Sequence, residues 1–219
     1  MIETNKREVI LSIETAVQGG SLSIIANGYE IDGWRGVLEI SKAEDFLEQI
    51  GNLLRVNNID VSQIKLIVIS QVMGNSTGQK IGVALAKGLR KSLKCGLAEI
   101  SVMEALLLEI NEDSHGQFMT AAASGKNYIC WQLFDKKNDK TFKKILGPRV
   151  STKEEFYQLV KENHYRNIIF CSDSASSARN FSHLSSILSN EEKREFVISK
   201  HRLAYLIGLK AYNNASDNI

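Results

Sequence analysis

Three strands, a helix, a strand and a helix can be read off this sequence twice in succession, and that repeated order limits the fold more than any single motif does. The first pass opens at residues 9–15, which alternate in polarity and are rich in β-formers. Gly19-Gly20 turns the chain into a second strand at 21–26. Asn27-Gly28, a pair that accepts the positive φ angles of a type I′ turn, leads into a third at 29–32. Ser41 and Glu44 have capping-box spacing, in which hydroxyl and carboxylate each satisfy an N–H left unpartnered at a helix start. Phe46, Leu47, Ile50, Leu53 and Leu54 then recur at helical spacing until Asn57-Asn58 ends the helix. Residues 64–70 are apolar throughout, as in a strand covered on both faces by helices.

A loop over 71–78 leads into a helix from about Gln79 to Leu93, with Gly82, Ala84, Ala86 and Gly88 small enough for close backbone approach. Each glycine lowers helix propensity by about 1 kcal/mol, so packing must compensate. A short strand at 97–100 and a second capping box, Ser101 with Glu104, open a helix to about Ile110. After the polar segment 111–116 the pattern restarts. Strands at 117–123 and 128–134 flank a hairpin at Ser124-Gly125-Lys126-Asn127, and a charged turn at 136–140 precedes a third strand at 141–146. Pro148, the single proline, marks its exit, and Ser151 with Glu154 is a third capping box, for a helix with Phe156, Leu159 and Val160 inward. A buried strand at 167–172, a short helix around 185–188, a strand at 196–198 and a helix at 202–212 complete the chain.

With 219 residues, 43% hydrophobic and 24% charged, the chain can bury a real core as one large domain or two small lobes. A net charge of +2 with dispersed basic residues does not point to direct nucleic-acid recognition. No apolar run reaches transmembrane length and the N-terminus lacks a signal-peptide core, so the chain reads as cytoplasmic, with no membrane partner. Cys95, Cys130 and Cys171 are odd in number and widely spaced, and two lie in apolar runs, the pattern of reduced, buried thiols. The Asn-x-Ser/Thr matches at Asn75, Asn180 and Asn214 read as chance in that compartment. His115, His164, His183 and His201 lie in polar surroundings without metal-ligand spacing, and no nucleophile–base pair presents itself; the expectation is no catalytic residue, no metal and no cofactor.

The stretch from Gln71 to Leu89 resembles the most recognisable segment of the TsaB/YeaZ family, where the pattern runs Gly-Pro-Gly-Ser-Phe-Thr-Gly-Leu-Arg-Ile-Gly-Val-Ala-x-Ala-Lys-Gly-Leu; Gly74, Thr77, Gly78, Ile81, Gly82, Ala86, Lys87, Gly88 and Leu89 match. Leu11 to Ala16 is similar to the family's opening Leu-x-Ile-Asp-Thr-(Ser/Ala), and Glu99 to Leu106 to its Val-Ser-Ser-Leu-Glu-Ala-Leu. The resemblance implies a two-lobed α/β fold of the actin-like ATPase (ribonuclease H-like) class, each lobe a mixed sheet with flanking helices, divided at 1–112 and 113–219. It implies a non-catalytic subunit in tRNA threonylcarbamoyladenosine modification that binds a TsaD-like catalytic subunit, with a TsaE-like ATPase as a further partner. A homodimer would form in isolation, and tRNA would be met only indirectly. The family's inter-subunit helical bundle maps onto Phe46, Leu47, Ile50, Leu54, Ile81, Ala84, Leu85 and Gly88; the same apolar stripe would equally serve as core.

The departures fall at the family's ligand positions. The opening aspartate is Glu14, Gly-Pro-Gly has become Val72-Met73-Gly74, a His-Ser motif is replaced by Ser41-Lys42-Ala43, and an acidic position on the second lobe's first strand holds Ala121-Ala122-Ala123. A divalent cation shared between the lobes would lose a charged ligand. A remnant ligand loop would comprise Glu14, Thr15, Gly74, Ser76, Thr77 and Gly78, whose N–H groups precede a helix and suit an anion, although the spacing is not that of a Walker loop. The bland alternative is a loop whose Ser76 or Thr77 caps the helix, with Glu14 a solvated or hydrogen-bonded strand-end carboxylate. Lys80 and Lys87 read as solvated, and Ser172-Asp173-Ser174 as either a ligand loop or a turn into a helix. The competing functions are a diverged small-molecule kinase or carbamoyl-transfer enzyme using Glu14 and the glycine loop, and a homodimeric paralogue with no tRNA role.

Overall fold

The computed structural model describes residues 8–17, 19–36, 43–72, 77–124, 127–137, 141–163, 165, 167–171, 195–199 and 201–216. In chain order they form β1 (Val9–Glu14), β2 (Ser21–Ala26), β3 (Tyr29–Arg35), α1 (Ala43–Val56), β4 (Ile64–Gln71), α2 (Thr77–Leu93), β5 (Gly96–Ser101) and α3 (Val102–Ala105), which tightens into a 3-10 turn (Leu106–Glu109). The second half is β6 (Gly116–Ser124), β7 (Tyr128–Lys136), β8 (Phe142–Thr152), α4 (Lys153–Glu162), β9 (Asn167–Cys171), β10 (Glu195–Ile198) and α5 (Leu203–Ser216).

Two mixed sheets result, ordered β3-β2-β1-β4-β5 and β8-β7-β6-β9-β10, so each half lays down its third, second, first, fourth and fifth strand in the same sequence. In each the first three strands are an antiparallel meander and the last two join in parallel. Asn27 (φ 53°) and Gly28 (φ 79°) both take the left-handed conformation that their turn requires.

Because alternate strand residues face opposite ways, each sheet has an outer and an inner face. Outside the first sheet, α1 and α2 cover Leu11, Ile13, Ile24, Ile67 and Ile69 with Phe46, Ile50, Leu53, Leu54 and Ala86. Outside the second, α4 sets Phe156 and Val160 against Met119, Trp131, Ile168 and Phe170. Between the sheets lies a shared core that includes Val68, Val102, Met103, Phe118, Phe134, Ile169, Leu206 and Ile207.

The helices of that middle layer are exchanged. α5 lies on β1, β2 and β4 of the first sheet, whereas α3 touches β6 and its 3-10 turn touches β9 of the second. Small inward residues allow this: Ser12, Ser21 and Ser23 are fully buried, Ser21 Oγ accepts from the Ala204 N–H at 3.1 Å, and a Cβ on Gly208 would run into Ser12 Oγ. A helix from the second half of the sequence thus packs on the sheet of the first.

Three local expectations are corrected. The helix after Ser101 is α-helical for a single turn and ends at Glu109, although Ser101 does cap it, accepting from the Glu104 N–H at 3.5 Å. β8 does not exit at Pro148 but runs through it, because β8 is an edge strand and the proline sits at a register shift opposite the Trp131–Leu133 stretch, where no ladder N–H is needed. The third capping box is one residue later than expected. Thr152 Oγ1 accepts from the Glu155 N–H (3.2 Å) and Glu155 Oε2 from the Thr152 N–H (2.8 Å), while Ser151 Oγ instead accepts from the Trp131 indole N–H (3.0 Å). Ser41, the hairpin tip at Gly125-Lys126, the Ser172-Asp173-Ser174 turn and the helix around 185–188 lie outside the described residues.

Candidate functional site

The end of β1 and the start of α2 form one corner. Glu14, the position of the family's aspartate, is fully buried, and its Oε1 accepts from the N–H groups of Ala16 (2.6 Å) and Val17 (2.8 Å) and lies 3.4 Å from Ser70 Oγ. This is the hydrogen-bonded alternative: the carboxylate caps the turn that follows its own strand, and the solvated reading is excluded. Thr15 Oγ1 donates to the Gly78 carbonyl at 2.8 Å. Side chains at Gly78 and Gly82 would run into the Thr15 carbonyl and hydroxyl respectively, so these two glycines are required by backbone proximity. Thr77 is the exposed first residue of α2; Gly74 and Ser76, the rest of the expected ligand loop, lie outside the described residues. At the matching place on the second sheet Ala121 and Ala122 are fully buried and Ala123 nearly so. Among the described residues no three His, Cys, Asp or Glu side chains gather where they could hold a metal ion. Cys130 and Cys171 are buried and Cys95 is half-buried.

The eight residues mapped to a partner face divide sharply. Phe46, Ile50 and Leu54 are core, a correction to their assignment as surface. Phe46 meets Trp34 edge-on at 5.4 Å and fills the space a side chain at Gly20 would need, so it is enclosed by its own chain. Ile81 and Leu85 are half-buried, Leu85 against the same core. Leu47 (48% exposed), Ala84 and Gly88 face solvent. Helical spacing alone could not make this division, since a stripe shows which residues share a face but not how wide the covering sheet is. The sequence reading also passed over Gly51, which lies one turn beyond Leu47 on α1, is exposed, and like Gly88 has open space where a Cβ would stand. Among the described residues no side chain accounts for either glycine. α1 and α2 touch, so Leu47 and Gly51 on one helix and Ala84 and Gly88 on the other give two neighbouring helices low, solvent-facing strips.

The model of the family described as TsaD, tRNA N6-adenosine threonylcarbamoyltransferase, matches residues 40–207. The chain belongs to this family. Among solved structures, the chain is similar to a Pseudomonas aeruginosa protein described as uncharacterized and similar to peptidase YeaZ, at TM-score 0.64 and 13% identity over 95% of this chain and 93% of that one. It is also similar to YeaZ from Pseudomonas aeruginosa, at TM-score 0.62 and 12% identity over 96% and 94%. A third similar structure is the Clostridium difficile activator of 2-hydroxyisocaproyl-CoA dehydratase with bound ADPNP, at TM-score 0.58 and 11% identity over 96% of each chain. No curated protein matches the sequence. At such identities the structural likeness establishes the fold, that of YeaZ and the actin-like ATPases. The TsaB/YeaZ resemblance carried by residues 71–89 agrees with both family and fold. No helix among the described residues is long and apolar enough to cross a membrane.

Proposed function

We propose that this TsaD-family chain is an accessory subunit of the machinery that makes threonylcarbamoyladenosine on tRNA, holding a TsaD-like catalytic subunit through α1 and α2. The observation that carries the reading is the pair of exposed mid-helix glycines, Gly51 and Gly88, set beside Leu47 and Ala84. An exposed glycine in a helix is about 1 kcal/mol worse than alanine, and nothing among the described residues compensates. Close approach by helices of another chain would. The charges on the two helices also suit such a meeting: α1 exposes Glu44 and Glu48, and α2 exposes Lys80. A non-catalytic role is supported by Glu14, whose carboxylate is engaged by its own turn, and by the alanines at the acidic position of the second sheet.

Leu47→Asp and Ala84→Glu each put a charge onto the proposed contact without touching the core. Both variants are expected to retain the circular dichroism and urea midpoint of the parent while losing copurification of the TsaD-like subunit. Full copurification by both would overturn the interface. The fold it shares with an ADPNP-bound activator gives the enzyme reading its best support. Calorimetric titration with magnesium-ATP separates the two, because saturable micromolar binding would favour an enzyme.

A further inference from the structure

We infer that the C-terminal half of α2 is a docking surface for the phosphate backbone of RNA. From Thr77 to Lys94 the chain carries five cations (Lys80, Lys87, Arg90, Lys91 and Lys94) and no carboxylate. Outside this segment 22 basic residues stand against 25 acidic ones, and residues 136–149 are a second basic stretch, with six basic residues and one acidic. Folding gathers four of the five. Lys87, Arg90, Lys91 and Lys94, with Cys95, line a shallow, open concavity of about 570 Å³. Among the described residues none of the four cations is ion-paired.

Complementing the helix dipole requires cations only in the last turn, where Arg90 and Lys91 already lie. Lys87 and Lys94 extend the group to a stripe at i, i+3, i+4 and i+7, about 10 Å long at 1.5 Å per residue. A nucleic-acid strand presents one charge per roughly 3.4 Å, so the stripe spans several phosphates. A lipid surface fits less well, since it is flat and rewards apolar insertion. The exposed large hydrophobic residues, including Leu47, Val56, Tyr128 and Ile145, all lie elsewhere. On the helical wheel Arg90 and Lys94 lie about 80–160° around from Ala84 and Gly88, whereas Lys87 and Lys91 border Ala84. The choice of RNA among polyanions rests on the tRNA-modification reading; the charged surface does not.

The test uses the full chain and a fluorescein-labelled, unmodified tRNA transcript, followed by anisotropy over a salt series. Four phosphate contacts predict a slope of log K against log salt of about −3. Arg90→Glu with Lys94→Glu should weaken binding about tenfold or more and flatten the slope by about two. Lys143→Glu with Arg149→Glu, exposed on β8, should change affinity less than about twofold, the screened effect of distant surface charge. Cys95 supplies a native reporter because Cys130 and Cys171 are buried. Burial pushes its thiol up, against a smaller downward pull from Arg90, so alkylation at neutral pH starts slow, and bound RNA should slow it several-fold further.

Absence of RNA binding by the parent chain, equal loss in both double variants, unaltered binding by Arg90→Glu/Lys94→Glu, or capture of phosphatidylserine vesicles in place of RNA would each overturn the inference. Copurification of the TsaD-like subunit is scored on the same preparations. RNA binding without capture sustains this surface and overturns the subunit reading; capture without RNA binding does the reverse.

Discussion

Four glycines with two different reasons for being there make the sharpest test at the scale of single residues. Gly78 and Gly82 sit where a Cβ would strike Thr15, Gly51 and Gly88 where it would meet none of the described residues. Gly78→Ala and Gly82→Ala are expected to destabilise the chain by about 1–3 kcal/mol, the range for forcing extra volume into packed structure. Gly51→Ala and Gly88→Ala should raise stability by about 0.5–1 kcal/mol by restricting the unfolded chain and improving helix propensity. Urea midpoints measured side by side decide it, and destabilisation by Gly88→Ala would mean that α2 is packed closely along its whole length. The sequence showed that the helix was rich in small residues and that packing had to compensate for them. It could not show which of those small residues meet a neighbour, because that depends on where β1 terminates beneath the helix start. Glu14 was ambiguous for the same reason: its identity is visible in the chain, but the two N–H groups that engage it come from the path of the backbone after the strand.

At the scale of elements, the α4 start separates two neighbouring hydroxyls that sequence spacing could not rank. Ser151 with Glu154 and Thr152 with Glu155 satisfy the same capping pattern, and β8 decides between them by continuing to Thr152. Thr152→Ala should cost about 1 kcal/mol and fray the first turn of α4, with Thr152→Ser restoring most of it. Ser151→Ala should also destabilise, by a different route: it leaves the indole N–H of buried Trp131 without its acceptor and should shift Trp fluorescence, whereas Thr152→Ala should not. Identical fluorescence in the two variants would contradict the assignment. Meander, turn and buried-strand signals were legible because they are local: the Asn27-Gly28 turn, the apolar run that became β4 and, among the described residues, the element order all stand in the structure. Element ends were less legible. β8 passes through Pro148 because it lies at a sheet edge, and edge position is a property of the assembled sheet rather than of the segment.

The molecule as a whole is held by the exchange of its last helices, and this was hidden in the sequence by the character of α5. Leu203, Ala204, Leu206, Ile207, Gly208 and Ala211 are all buried, so the helix is apolar around much of its circumference and carries no stripe to say which sheet it serves. Its Arg202–Glu30 contact at 2.7 Å and the Glu109–His201 contact at 2.9 Å tie the approach to this helix to the first half of the chain. Burying Leu203, Leu206 and Ile207 contributes about 1.5–3 kcal/mol each, together comparable with the roughly 5–15 kcal/mol by which a whole domain is stable. A fragment of residues 1–112 keeps every strand of the first sheet yet exposes the buried serine face and the apolar residues beneath α5. It should therefore be unfolded or aggregated when expressed alone, despite carrying the complete strand order of a lobe. Supplying residues 199–219 as a separate peptide should restore amide protection in β1, β2 and β4, the strands that α5 covers. Cooperative unfolding of 1–112 without the peptide would show that α1 and α2 stabilise the sheet unaided, and that the exchange joins two lobes each already able to stand alone.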